Sequence, residues 1–124
     1  MRGSVVGQVN FLMSFVKAFD QSKHQAKAQA RLSGYRDWHS VGKQLGVYSN
    51  RTAERYFAVW KELGEFMREN GIKSFDRITP EVIKAYLESK IADRLSKTTL
   101  RTTVSAIEKL ETALNRYAEK YSPD

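Results

Sequence analysis

Residues 49–71, SNRTAERYFAVWKELGEFMRENG, decide how this chain is read. The stretch predicts one helix with two unlike faces. Ala53, Tyr56, Trp60, Leu63 and Met67 recur at helical spacing and form an apolar stripe. Val59 and Phe66 widen the stripe, so the helix is expected to meet more than one neighbour. Arg51 and Arg55 stand one turn apart on the opposite face, in the first two turns. Asn70-Gly71-Ile72 is a stop signal: glycine suits the left-handed residue that ends a helix, and an apolar residue commonly follows it.

The position of these arginines carries information. A helix N-terminus holds partial positive charge, and a cation there costs roughly 0.3–1 kcal/mol. A phosphate reverses the sign, because free N–H groups and guanidinium groups can share one anion. The plainer alternative is that Glu54 and solvent offset the cost.

The 124 residues fit one domain, with 41% hydrophobic and 28% charged residues. Only two prolines and seven glycines leave little room for a turn-rich β architecture. A net charge of +7 and a pI near 9.7 favour a polyanionic partner. The absence of cysteine excludes disulfides, thiolate metal sites and cysteine nucleophiles. The apolar-leaning residues 5–19 are interrupted by Gln8, Asn10, Ser14 and Lys17, too short and too polar to span a membrane.

Around the central helix the chain reads as further helices. Val9, Leu12, Met13, Val16 and Phe19 predict a first amphipathic helix over residues 9–19. Residues 22–31 are polar helix formers. Residues 37–45, DWHSVGKQL, form a short helix with Trp38, Val41 and Leu45 on one face. Ile72, Phe75 and Ile78 are expected to tuck under the bundle. Thr79-Pro80-Glu81 is a strong helix start, with a capping hydroxyl, proline in the first turn and an acid beside it. Val82, Ile83, Tyr86, Leu87 and Ile91 give that helix its buried face. Ser96 can cap a last helix from Lys97 to about Tyr121. Leu100, Val104, Ile107, Leu110, Leu114 and Tyr117 line one side of it. Lys97, Thr98, Arg101, Ser105 and Lys109 line the other. Cations thus crowd a second helix start.

His24 and His39 lack partners at metal spacing, and no phosphate loop, nucleophile elbow or paired-carboxylate signature is present. Catalysis by this chain is not expected, and no metal, cofactor or small-molecule substrate is called for. One DNA-binding reading takes residues 38–60 as a helix-turn-helix, with Gly46 in the turn and Asn50, Arg51, Thr52 and Arg55 facing DNA. Another reading is a helical protein-interaction module that uses the first amphipathic segment.

A wider pattern spans residues 49–121. SNRTAERY leads into FAVWKELGEFMRENG; then come ITPEVIKAYLESKI and LSKTTLRTTVSAIEKLETAL, with Ser96, Thr99, Leu100, Ser105, Ala106 and Ile107 at the marked positions. In that order the segments resemble the N-terminal core-binding (SAM-like) domain of tyrosine recombinases, the phage-integrase group. The resemblance implies an all-α compact bundle of four to five helices. It implies that the bundle covers one face of double-stranded DNA, a second domain closing the clamp, and other protomers of the recombinase on the same DNA. Carried over by position, Arg51, Thr52 and Arg55 contact DNA from one helix, and Lys97, Thr98, Arg101 and Thr102 from the other. Lys43, Asn50, Ser105 and Lys109 complete the candidate DNA-binding set. The family's catalytic His-x-x-Arg element is missing, since Gln25-Ala26-Lys27 follows His24. Tyr117 and Tyr121 read as packing residues.

The expected organisation is an N-terminal region over residues 1–47, a core-binding helical domain over 48–121 and the start of a linker over 122–124. The expected role is the DNA-binding fragment of a recombinase whose strand chemistry lies in a separate domain. The expected location is cytoplasmic, in a bacterial or phage-encoded protein on nucleoid DNA.

Overall fold

A computed structural model of the chain describes residues 1–17 and 50–121. Four helices make up this part: α1 (Val5–Met13), α2 (Asn50–Glu69), α3 (Pro80–Ala92) and α4 (Lys97–Tyr121), with a 3-10 turn at Phe75–Arg77. No β-strand occurs among the described residues. The all-α bundle expected from the sequence is the fold observed. The short helix over residues 37–45, and with it the first half of the helix-turn-helix, lies outside the described residues.

Each boundary has a local cause. Gly71 takes φ +83°. Its N–H bonds the Arg68 carbonyl, and the Ile72 N–H bonds the Met67 carbonyl, the paired bonds that close a glycine-ended helix. Thr79 Oγ1 accepts from the Val82 N–H and starts α3. Ser96 Oγ accepts from the Thr99 N–H and starts α4. The first helix differs from its expected span. It begins at Val5, because Ser4 Oγ caps the Gly7 N–H, and it ends at Met13 as the chain turns through Ser14. Gln8 does not interrupt it. Gln8 is buried, its Nε2 donating to the Gly3 and Lys73 carbonyls while its Oε1 accepts from the Phe75 N–H.

Trp60, Leu63 and Met67 of α2 pack with Val9, Leu12 and Met13 of α1, Phe75, and Ala106, Leu110 and Ala113 of α4. Gly64 lets α1 approach closely: a Cβ there would lie 2.6 Å from Val5 Cγ1 and 2.8 Å from Phe75 Cζ. Trp60 is fully buried, and its indole Nε1 donates to the Ala106 carbonyl at 2.7 Å. Two expected apolar faces hold in part: Leu110 and Tyr86 are buried and Val82, Ile107, Leu114 and Tyr117 pack against the core, while Val104 and Ile91 are corrected. In α4 the buried positions are Thr103, Ala106, Leu110 and Ala113, and Val104 is 43% exposed. Small residues face α2 because the helices come close enough for the Trp60 bond to a main-chain carbonyl. In α3 only Tyr86 is buried, and Ile91 is 61% exposed. α3 leans on α2 through Phe66–Tyr86 ring contact at 5.7 Å and a Lys90–Glu62 ion pair. It stands off from α4, leaving an apolar groove of about 650 Å³ that includes Ile83, Leu87, Ile91 and Ile107. Burial, then the hydrogen bond and charge of Glu62, push the Tyr86 phenol well above its ordinary range.

Candidate nucleic-acid interface

The bundle brings two helix starts to one end. Phe66 faces Tyr86 and Glu62 faces Lys90, so α3 runs against α2. α1 lies across the C-terminal halves of both α2 and α4. Arg68 donates to the Gly3 carbonyl and Arg116 to the Phe15 carbonyl, while Phe11 packs edge-on to Tyr117. α2 and α4 therefore run the same way, and the Trp60–Ala106 bond fixes their register. Asn50 precedes Trp60 by ten residues and Lys97 precedes Ala106 by nine. At a rise of about 1.5 Å per residue, the two starts lie about 15 and 14 Å along their own helices from the bonded residues.

Arg51, Arg55, Lys97 and Arg101 are exposed at this end. Arg94 joins them from the connection between α3 and α4, also exposed. None of the five forms an ion pair with a described acid. Glu54 and Asp93, exposed in the same stretches, are the acids closest in sequence to Arg51, Arg55, Arg94 and Lys97, and Glu108 is the closest to Arg101. Neither α2 nor α4 has an acid in its first turn, whereas α3 has Glu81. Elsewhere some cations are engaged, Lys61 with Glu65, Lys90 with Glu62, and Arg68 and Arg116 with carbonyls, while Arg2, Lys73, Arg77 and Lys84 are exposed without an ion pair to a described acid.

The remaining candidates divide by exposure. Asn50 and Thr98 are exposed; Thr52, Thr102, Ser105 and Lys109 are half-buried. Thr102 Oγ1 donates back to the Thr98 carbonyl, a local bond that leaves the hydroxyl oxygen able to accept. Lys43 lies outside the described residues. Arg94 escaped the sequence reading, which gave it no role. Its signal is a cation, in place of glycine, where the chain must turn between two helices.

The fold and its charges define a class: a small all-α bundle with exposed cations in the opening turns of two helices. The family model for the phage integrase N-terminal SAM-like domain matches residues 43–117, and the chain belongs to that family. No curated protein and no solved structure gave a match. The match begins ahead of α2 and ends within α4, so α1 lies outside it. No helix among the described residues is long and apolar enough to cross a membrane, and none of their His, Asp and Glu side chains form a metal-holding group.

Proposed function

We propose that this domain grips double-stranded DNA with the end where α2 and α4 begin, as the core-site binding module of a site-specific tyrosine recombinase. Cleavage and rejoining belong to a separate catalytic domain, since the family's His-x-x-Arg element is not in this sequence. One observation carries the reading. Two helices that run the same way start at one end of the bundle, with four exposed cations in their opening turns and no acid in the first turn of either. Helix dipoles oppose that arrangement, and a phosphate backbone favours it. Arg51 and Arg55 serve the duplex from α2; Lys97, Thr98, Arg101 and Thr102 serve it from α4. The setting is the DNA-containing compartment of a bacterial or phage-infected cell.

The test is a duplex-binding titration at low and moderate salt, with wild type and the Arg51→Glu/Arg101→Glu double variant. Wild-type affinity is expected to fall steeply with salt, since phosphate contacts release counterions. The folded double variant is expected to lose binding at every sequence. Equal affinity in the double variant would remove this surface from the assignment.

A further inference from the structure

Arg94 is the one described non-glycine residue in the left-handed region, at φ +56°. It directly follows Asp93, the residue that caps α3, and its N–H bonds the Ile91 carbonyl. Glycine is the usual residue at such a helix end, because a Cβ is disfavoured there. The chain meets this rule at the end of α2, where Gly71 takes φ +83°. At the end of α3 it carries a long cation in the same kind of position. The side chain is exposed and has no ion-pair partner among the described residues. It stands three residues before Lys97, at the end where α2 and α4 begin. Backbone strain that local structure does not require is a mark of function when it coincides with a chemically apt side chain.

We infer that Arg94 is a further DNA-contacting residue, a clamp on a backbone phosphate beside the start of α4, kept where glycine would fold more easily. This rests on the duplex-binding reading above and extends it to a third element, the turn between α3 and α4. A rival account is purely structural: a cation is favourable at a helix C-terminus. Lys90 already stands in the last turn of α3, and the rival role gives no effect on DNA affinity.

The experiment compares the full chain with Arg94→Gly, Arg94→Asn and Arg94→Lys, measuring duplex affinity across a salt series and thermal unfolding of each. Glycine and asparagine both tolerate the left-handed backbone, so either keeps the test readable if the other folds poorly. Both are expected to bind about fivefold more weakly at moderate salt, with a salt slope shallower by about one. The Tm of Arg94→Gly is expected to match wild type or exceed it by about 3 °C. Arg94→Lys is expected to bind within about twofold of wild type, because it keeps the charge. Unchanged affinity and slope in the glycine and asparagine variants, with wild type binding normally, would overturn the role of Arg94 alone. Failure of wild type to bind duplex at low salt would overturn the duplex reading and this inference together.

Discussion

The two ends of the bundle treat polar groups in opposite ways. At the far end, where α1 crosses α2 and α4, the buried polar groups find partners, although Arg2, Lys73 and Arg77 are exposed without an ion pair to a described acid. Gln8 satisfies three main-chain groups, Arg68 and Arg116 bond carbonyls, and no buried side-chain polar atom among the described residues lacks a partner. At the near end, five cations stand exposed without an ion pair to a described acid, and helix dipoles oppose four of them. The far end is arranged for folding, and the near end keeps its charges free for something outside the chain. Stability and binding should therefore separate along the helix axis.

The strongest way to break that separation is Trp60→Ala, because Trp60 serves both ends. It is expected to cost about 4 kcal/mol in urea unfolding, from lost packing and a bare Ala106 carbonyl. It should also weaken duplex binding in whatever fraction stays folded, since the register of the two starts is lost. Arg51→Glu/Arg101→Glu acts on the near end alone. A loss of about a hundredfold in duplex affinity at low salt is expected, with stability unchanged or raised by about 0.5 kcal/mol. A fall in Tm comparable to that of a core variant would show that these cations hold the fold. Gln8→Ala is the mirror case: about 2 kcal/mol of stability lost, from the unpaired Lys73 carbonyl and Phe75 N–H while Gly3 keeps its bond from Arg68, and no change in the affinity of the folded protein. The smallest effect is at Tyr86. Tyr86→Phe is expected to cost about 1 kcal/mol at neutral pH, leaving Glu62 paired with Lys90. The folded phenol holds its proton more tightly than the unfolded one. Its contribution is full below the ordinary phenol value of 10.0 and is lost as pH rises through the folded value. Wild-type stability should thus fall more steeply above that pH than stability of the Phe variant.

Much of the fold was legible because its signals are local. The glycine stop at Gly71, the Thr79-Pro80 start and the Ser96 cap each depend on neighbours within a few residues, and all three appear as read. The stripe of α2 was legible because large side chains point to the core at helical spacing, and Trp60, Leu63 and Met67 are buried as expected. The face of α4 was misjudged in part, for a tertiary reason. Apolar size marks Val104 as core, yet close helix approach selects Thr103, Ala106 and Ala113 instead. Ile91 was misjudged because α3 leans away from α4, which periodicity within α3 does not encode. The first helix was displaced because Gln8 looks polar in sequence, while its three partners come from residues 3 and 73–75. At the candidate site, the cations could be named from sequence, but the alignment of the two helices that carry them could not. That alignment depends on the Trp60–Ala106 contact, 46 residues apart in the chain. Arg94 was passed over because a left-handed backbone is not visible in a residue that rarely adopts it.

The bond from Trp60 ends on a main-chain carbonyl, not on a side chain. It reads a position along α4 and is indifferent to which residue occupies it, provided that residue is small. The outward surface of α4 is therefore free to drift in sequence while the axial alignment of the two helices stays put. Descendants of this chain can exchange one set of outward residues for another, and so change the site they prefer, without having to solve the packing of the bundle again.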